Sequence, residues 1–165
     1  MAPVPVRVCA VLLHGGRLAL IRRERPDGVQ HTLPGGMIEN GEDPAAALRR
    51  ELLEELGLDL DDLPDPPVLR FAQDQETARP GETGLFRRRH LVFTAYLPDH
   101  LHRTVATSEQ DDPERAPVVW LPLAAAAGLH LYPAVGPVLD QTTGTDLTVG
   151  PSLLLPMTDV TYRWR

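Results

Sequence analysis

Three glutamates on adjacent turns of a single helix repel one another, and "RRELLEEL" carries Glu51, Glu54 and Glu55 in that arrangement. With Glu51 at zero and about 100° per residue, Glu54 falls near 300° and Glu55 near 40°. The three carboxylates therefore share an arc of roughly 100°, beside the apolar stripe of Leu48, Leu52 and Leu56. They sit at the border of the face that docks on the protein, whereas a solvated acidic face would be centred opposite the leucines. Like charges at such spacing cost a few tenths of a kcal/mol per pair (about 0.2–0.5) unless a cation intervenes. An oxygen-only site of this kind suits Mg²⁺ or Mn²⁺, which take a few carboxylates and keep other positions for water and phosphate. Arg50 stands four residues before Glu54, within reach of a salt bridge.

The helix that carries these groups has clear ends. Asp43 is an N-cap residue and Pro44 suits the first helical position, where a missing N–H costs nothing. "AAALRRELLEEL" consists of strong helix formers, and Gly57 is placed to stop them, so the helix is expected from Pro44 to Leu56. Ahead of it, "VRVCAVLL", "HGG" and "RLALIRRER" read as a β-hairpin with a glycine turn. "HTLPGGMIE" reads as a short strand interrupted at Pro34, which cannot donate to a ladder. Further strands are expected near Val68–Phe71, over "LFRRRHLVFTAYL" and at "VVWLP". "ETARPGETG" and "ATSEQDDPERAP" read as polar loops. "LAAAAGLHL" reads as a helix, extended by "YPAVGPVLDQ". The last residues read as either an edge strand or an oligomer contact. Strands and helices mix without regular βα repetition, which indicates an α/β fold on a mixed sheet.

The totals exclude several classes. The 165 residues suffice for one domain with a proper core. A formal net charge of −7 opposes capture of nucleic acid or anionic membrane by the surface as a whole. The single Cys9 forms no internal disulfide and reads as a packed core residue. The N-terminus lacks the basic-then-apolar pattern of a secretory signal, and no apolar run reaches the ~18 residues of a membrane span. A cytoplasmic location is the resulting expectation.

With its preceding loop the acidic helix resembles the Nudix hydrolase signature, G-x5-E-x7-R-E-U-x-E-E-x-G-U, where U is aliphatic. Gly36, Glu42, Arg50-Glu51-Leu52, Glu54-Glu55 and Gly57-Leu58 occupy every fixed position. The resemblance extends over roughly Val6 to Leu139, with the box its specific part. It implies an α/β/α sandwich around a mixed β-sheet, a single domain over 1–165 with a core of about 6–139 and a C-terminal extension of 140–165. It also implies metal-dependent hydrolysis of a nucleoside diphosphate linked to another moiety: a nucleoside triphosphate, a damaged nucleotide or a sugar nucleotide.

Carried over by position, Glu54 and Glu55 are metal ligands, Glu51 is a further ligand or the base that activates water, and Arg50 orients them. Glu42 supports the loop, and a glycine carbonyl, that of Gly35 or Gly36, completes the coordination. Relatives often add a distal loop glutamate as base or ligand, for which Glu109 and Glu114 stand out, with Asp111 and Asp112 as further choices. Arg22 and Arg23 are candidates for holding a substrate phosphate, only one of them facing inward. His31 stands where many relatives carry tryptophan and is expected to be exposed. "RRRH", Arg87–His90, is a local basic patch, expected as an outward strand edge protected by charge. Trp120 is expected in the core. Dimers are common in the family, so a homodimer is a further expectation. The alternative is a nucleotide sensor that keeps the fold without catalysis, which the intact Glu51, Glu54 and Glu55 oppose. An isopentenyl-diphosphate isomerase would need a cysteine in another context than Cys9.

Overall fold

The computed structural model describes residues 2–143 and 151–165, and of residues 140–143 only the backbone. Part of the expected extension, residues 144–150, lies outside them.

The run from Val6 to His14 forms β1 and pairs in parallel with β6 (Leu85–Tyr96), from Val6 opposite Arg89 to Leu13 opposite Tyr96. Its residues alternate between two cores. Val8, Ala10 and Leu12 face a cluster containing Leu48, Leu52 and Leu56 of α1 (Pro44–Leu56), while Cys9, Val11 and Leu13 face one containing Ala126, Val135 and Leu139. A strand covered on both faces is apolar without interruption, which explains why this stretch shows no polar alternation. Cys9 is fully buried and its thiol is pushed up to about 11 by desolvation.

Gly15 and Gly16, both at positive φ, turn the chain into β2 (Arg17–Arg25), which pairs with β3 (Gly28–Thr32) and with β7 (Val118–Pro122). The strand expected at "HTLPGG" is split as anticipated. β3 ends before Pro34, and β4 (Gly35–Met37) resumes against β1 with Cys9 opposite Gly35. β5 (Val68–Ala78) is longer than expected, reaching into "ETA", so the loop before β6 is confined to 79–84. The ordered path through the sheet is β10-β5-β6-β1-β2-β3-β8, with β8 at Leu131–Tyr132 and β10 at Met157–Thr158.

Several expectations are corrected. β6 lies between β5 and β1, so Arg89 and His90 of "RRRH" are interior, while Arg87 and Arg88 run past the start of β1 and pair with β5 alone. Arg87 and Arg89 pair across the strand with Glu76 and Asp74, and His90 is fully buried on the opposite face. His31 is buried between β2 and β8. The helix of "LAAAA" stops at Ala127 (α2, Leu123–Ala127), and the chain then forms β8 and a 3-10 stretch over Gly136–Thr143. In the tail, β9 (Ser152–Leu153) and β10 both add to β5 in parallel, bearing out the edge-strand alternative. Trp120 is half-buried against the α1 core, edge-on to His102.

Candidate active site

The helix ends are those the sequence specifies. Asp43 Oδ1 accepts from Ala46 N–H at 2.9 Å, and Gly57, at φ 64°, lets the Gly57 and Leu58 amides bond back to Leu53 and Leu52. This fixes the rotation of α1 and so the direction of each glutamate. Glu55 points inward and is buried. Its Oε2 accepts the Gly35 amide at 2.8 Å, tying the helix to the loop before β4. Glu51 is mostly covered and Glu54 half exposed, at 13% and 48%.

Arg50 binds this loop and helix together. Its Nε and Nη2 grip the two Glu42 oxygens at 2.9 Å each, Nη2 also reaches Met37 O at 2.9 Å, and Nη1 reaches Glu51 Oε1 at 2.7 Å. Glu54 Oε2 lies 3.6 Å from Nη1. The guanidinium holds the Glu42 carboxyl down at about 2. Lysine has no planar fork and cannot reproduce this set. Arg50→Lys is therefore expected to cut kcat/KM by roughly 10²-fold through misplacement of Glu51. An NMR titration of Glu42 checks the cause: its pKa should return toward the ordinary carboxylate range.

The loop expected from "ATSEQDDPERAP" closes over the same end of the helix. Gln110 N–H donates to Glu55 O at 2.9 Å, and Ala106 N–H to Leu56 O at 3.0 Å. This brings Asp111 to the glutamates. Oxygens of Glu51, Glu55 and Asp111 all lie within 4.8 Å of one another. Glu54 stays outside that group, and Glu114 is exposed, its amide donating to Asp112 Oδ1 at 2.8 Å. Glu109 is buried, with Oε1 on Arg23 and its carboxyl beside that of Asp112. Burial raises it to about 7.

Of the two arginines, Arg23 faces inward as expected for one of the pair, but its guanidinium is held by Glu109 and by Asp112 at 2.8 Å. Arg22 lies at the surface beside Glu24. Arg23 thus fastens the distal loop, and neither arginine stands free toward the carboxylates.

Electrostatics single out Glu55. Desolvation lifts it to about 8, against the opposing pull of the Gly35 amide and Arg7, with Glu109 and Asp111 adding repulsion. Desolvation also raises Glu51. A cluster of carboxylates that disfavours its own ionisation is the donor set a hard divalent cation relieves. Gly36 is part of the same cradle: a Cβ there would overlap the Glu51 carboxylate.

A NUDIX domain model matches residues 3–141. The chain belongs to the Nudix hydrolase family, and its mixed sheet with flanking helices is the Nudix fold. Among solved structures it resembles a MutT protein from Bacillus halodurans at 14% identity and TM-score 0.67, over 96% of this chain and 93% of that one. A MutT Nudix hydrolase from Burkholderia pseudomallei is 26% identical, with TM-score 0.54 over 74% and 85%. The dihydroneopterin triphosphate pyrophosphohydrolase of E. coli is 24% identical, with TM-score 0.60 over 82% and 92%. Curated protein sequences give no match. Among the described residues no helix is long and apolar enough to cross a membrane.

Proposed function

We propose that this Nudix hydrolase is a one-domain, Mg²⁺- or Mn²⁺-dependent pyrophosphohydrolase that cleaves the diphosphate of a nucleoside diphosphate derivative. The observation that carries the reading is the convergence within 4.8 Å of oxygens from buried Glu55, partly covered Glu51 and exposed Asp111 at the end of α1. These three residues, with the Gly36 carbonyl, would hold the cation, and the half-exposed Glu54 would meet a further ion or one arriving with substrate. A bound cation supplies charge neutralisation at the phosphates and lowers the pKa of water.

The chain's own residues supply the remaining requirements. Glu109, buried and raised to about 7 by desolvation, is suited to take a proton from the attacking water. Arg23 holds it in place, and Arg50 fixes Glu51 while Glu42 fixes Arg50. Water attack on one phosphorus releases a nucleoside monophosphate with a phosphorylated second product, or pyrophosphate if the substrate is a triphosphate.

The test is release of a nucleoside monophosphate, followed by chromatography, from a panel of nucleoside triphosphates, oxidised nucleotides and sugar nucleotides. Turnover is expected with Mg²⁺ and absent with EDTA. Glu109→Gln should lower kcat by about 10²–10⁴-fold, the range of a lost general base, and Asp111→Asn should weaken metal activation. Glu114→Gln should act like the native chain. Equal turnover in EDTA refutes the mechanism. Tight binding of one panel member without turnover would favour the sensor.

A further inference from the structure

Arg7 is a charged side chain placed where charge is expensive. It lies in the middle of the sheet on β1, is 8% exposed, and among the described residues is hydrogen-bonded by no carboxylate, although its charge acts on Glu55. Its Nη2 donates to two main-chain oxygens of one loop, Leu33 O at 2.8 Å and Gly35 O at 3.2 Å, and among the described residues its buried Nη1 meets no oxygen or nitrogen acceptor. An apolar residue would fill a β1 position at lower desolvation cost, as its neighbours Val8 and Cys9 do.

What the guanidinium holds is the loop that presents the metal cradle. Leu33 and Gly35 flank Pro34, and Gly35 donates its own amide to Glu55 Oε2 at 2.8 Å. Gly35 is therefore fastened on both sides, its carbonyl by Arg7 and its N–H by Glu55. The next peptide carries Gly36, the residue packed against Glu51.

Arg7 is itself fixed from the far side of the sheet. Its guanidinium carbon sits 5.6 Å from the Tyr132 ring centroid. Tyr132 donates its hydroxyl to Gln75 Oε1 at 3.0 Å, accepts from Arg88 Nη1 at 3.1 Å, and meets the His90 ring edge-on at 5.0 Å. The C-terminal segment closes over that ring with Met157, Tyr162 and Trp164.

We propose that Arg7 is a positioning residue for the reaction: it sets the Leu33–Gly36 loop so that the Gly35 amide fixes Glu55 and the Gly36 peptide faces the metal carboxylates. Tyr132 and the C-terminal segment keep the guanidinium in place. The inference rests on the reading of Glu51, Glu55 and Asp111 as metal ligands, and it gives residues 151–165 a role in the site without contact to substrate.

The experiment compares native protein with Arg7→Met, Arg7→Lys and Arg7→Ala. Outer residues that orient metal ligands are worth roughly 10–100-fold in affinity or activity. Arg7→Met should lose that much in Mn²⁺ affinity, measured with the metal alone by calorimetry, and a similar factor in kcat, with KM little changed. Added guanidinium should restore part of the activity of Arg7→Ala while ammonium does not, a split that general loss of stability would not produce. In metal-free protein the Gly35 amide should exchange faster in Arg7→Met. Native-like Mn²⁺ affinity, kcat and Gly35 exchange in Arg7→Met overturn the proposal. Should Arg7→Met fail to fold, Arg7→Lys and the guanidinium rescue decide, and absence of both defects in them overturns it as well. If native protein binds no Mn²⁺, the metal reading fails on its own, and the Gly35 exchange rate still decides whether Arg7 sets the loop.

Discussion

Replacing Glu55 by glutamine should make the metal-free protein more stable and the enzyme inactive. Glutamine keeps an oxygen for the Gly35 amide and deletes a charge that burial disfavours. The sign follows from the protons bound. Desolvation raises the folded-state pKa of Glu55 from the ordinary 4.5 to about 8, so between those values the folded chain holds a proton that the unfolded chain has released. Stability of the metal-free protein therefore falls as pH rises through that window, by up to about 1.4 kcal/mol per pH unit, and the penalty is complete above it. Glu55→Gln removes this slope. Each kcal/mol gained raises Tm by roughly 2–4 °C in a chain of this size.

With metal present the order should reverse. A cation that binds only the folded state adds stability by mass action, and the variant has lost a ligand for it. Turnover should fall by on the order of 10²–10⁴-fold, the rate equivalent of several kcal/mol of lost charge stabilisation. Thermal melts at pH 8 with EDTA and with Mg²⁺, alongside an activity assay, check both halves. A variant that melts below native in EDTA, or that keeps its turnover, contradicts the assignment of Glu55.

How much of this was readable before the structure depends on the range of the contacts involved. The α1 boundaries, its Asp43 and Gly57 caps and the inward tilt of Glu55 were legible, because caps and periodicity act within one or two turns. The sequence placed Arg50 within reach of Glu54 and gave Glu42 a supporting place in the loop, but the grip of Arg50 on Glu42 comes from the way the loop folds back on the helix. The choice among Glu109, Asp111, Asp112 and Glu114 was not legible. Four acids in one loop look alike in sequence, and they are sorted by a backbone bond from Gln110 to Glu55 and by the hold of Arg23 on two of them. The same hold shows that Arg23, the inward-facing one of the two candidate arginines, is paired with Glu109 and Asp112. Arg7 left no signal at all, since a lone arginine in an apolar strand has meaning only once the Leu33 and Gly35 carbonyls are known to face it. The arginines of "RRRH" looked like a protected edge because their partners, Asp74 and Glu76, arrive from a neighbouring strand through pairing that the sequence does not state.

Adding one methyl group to each of two adjacent glycines should separate folding from chemistry. At Gly35 the backbone has φ 144°, where side chains other than hydrogen are strained, and a Cβ would press on Val8 O and lie 2.6 Å from Cys9 Cα. Those atoms belong to the interior strand β1 and cannot yield cheaply. Gly35→Ala is expected to cost about 2–5 kcal/mol, combining strain and overpacking. At Gly36 the three atoms nearest to a Cβ all belong to the Glu51 carboxylate, the far end of a flexible side chain that can move by giving up its bond to Arg50. Gly36→Ala should therefore fold with stability within about 1 kcal/mol of native, while displacement of Glu51 lowers kcat by roughly 10²-fold or more. Denaturant melts and initial rates on the best panel substrate check the pair. If Gly36→Ala were as active as native, Glu51 would not be held where the cradle requires it. If Gly35→Ala were as stable as native, the close approach of β4 to β1 would not be what shapes the loop.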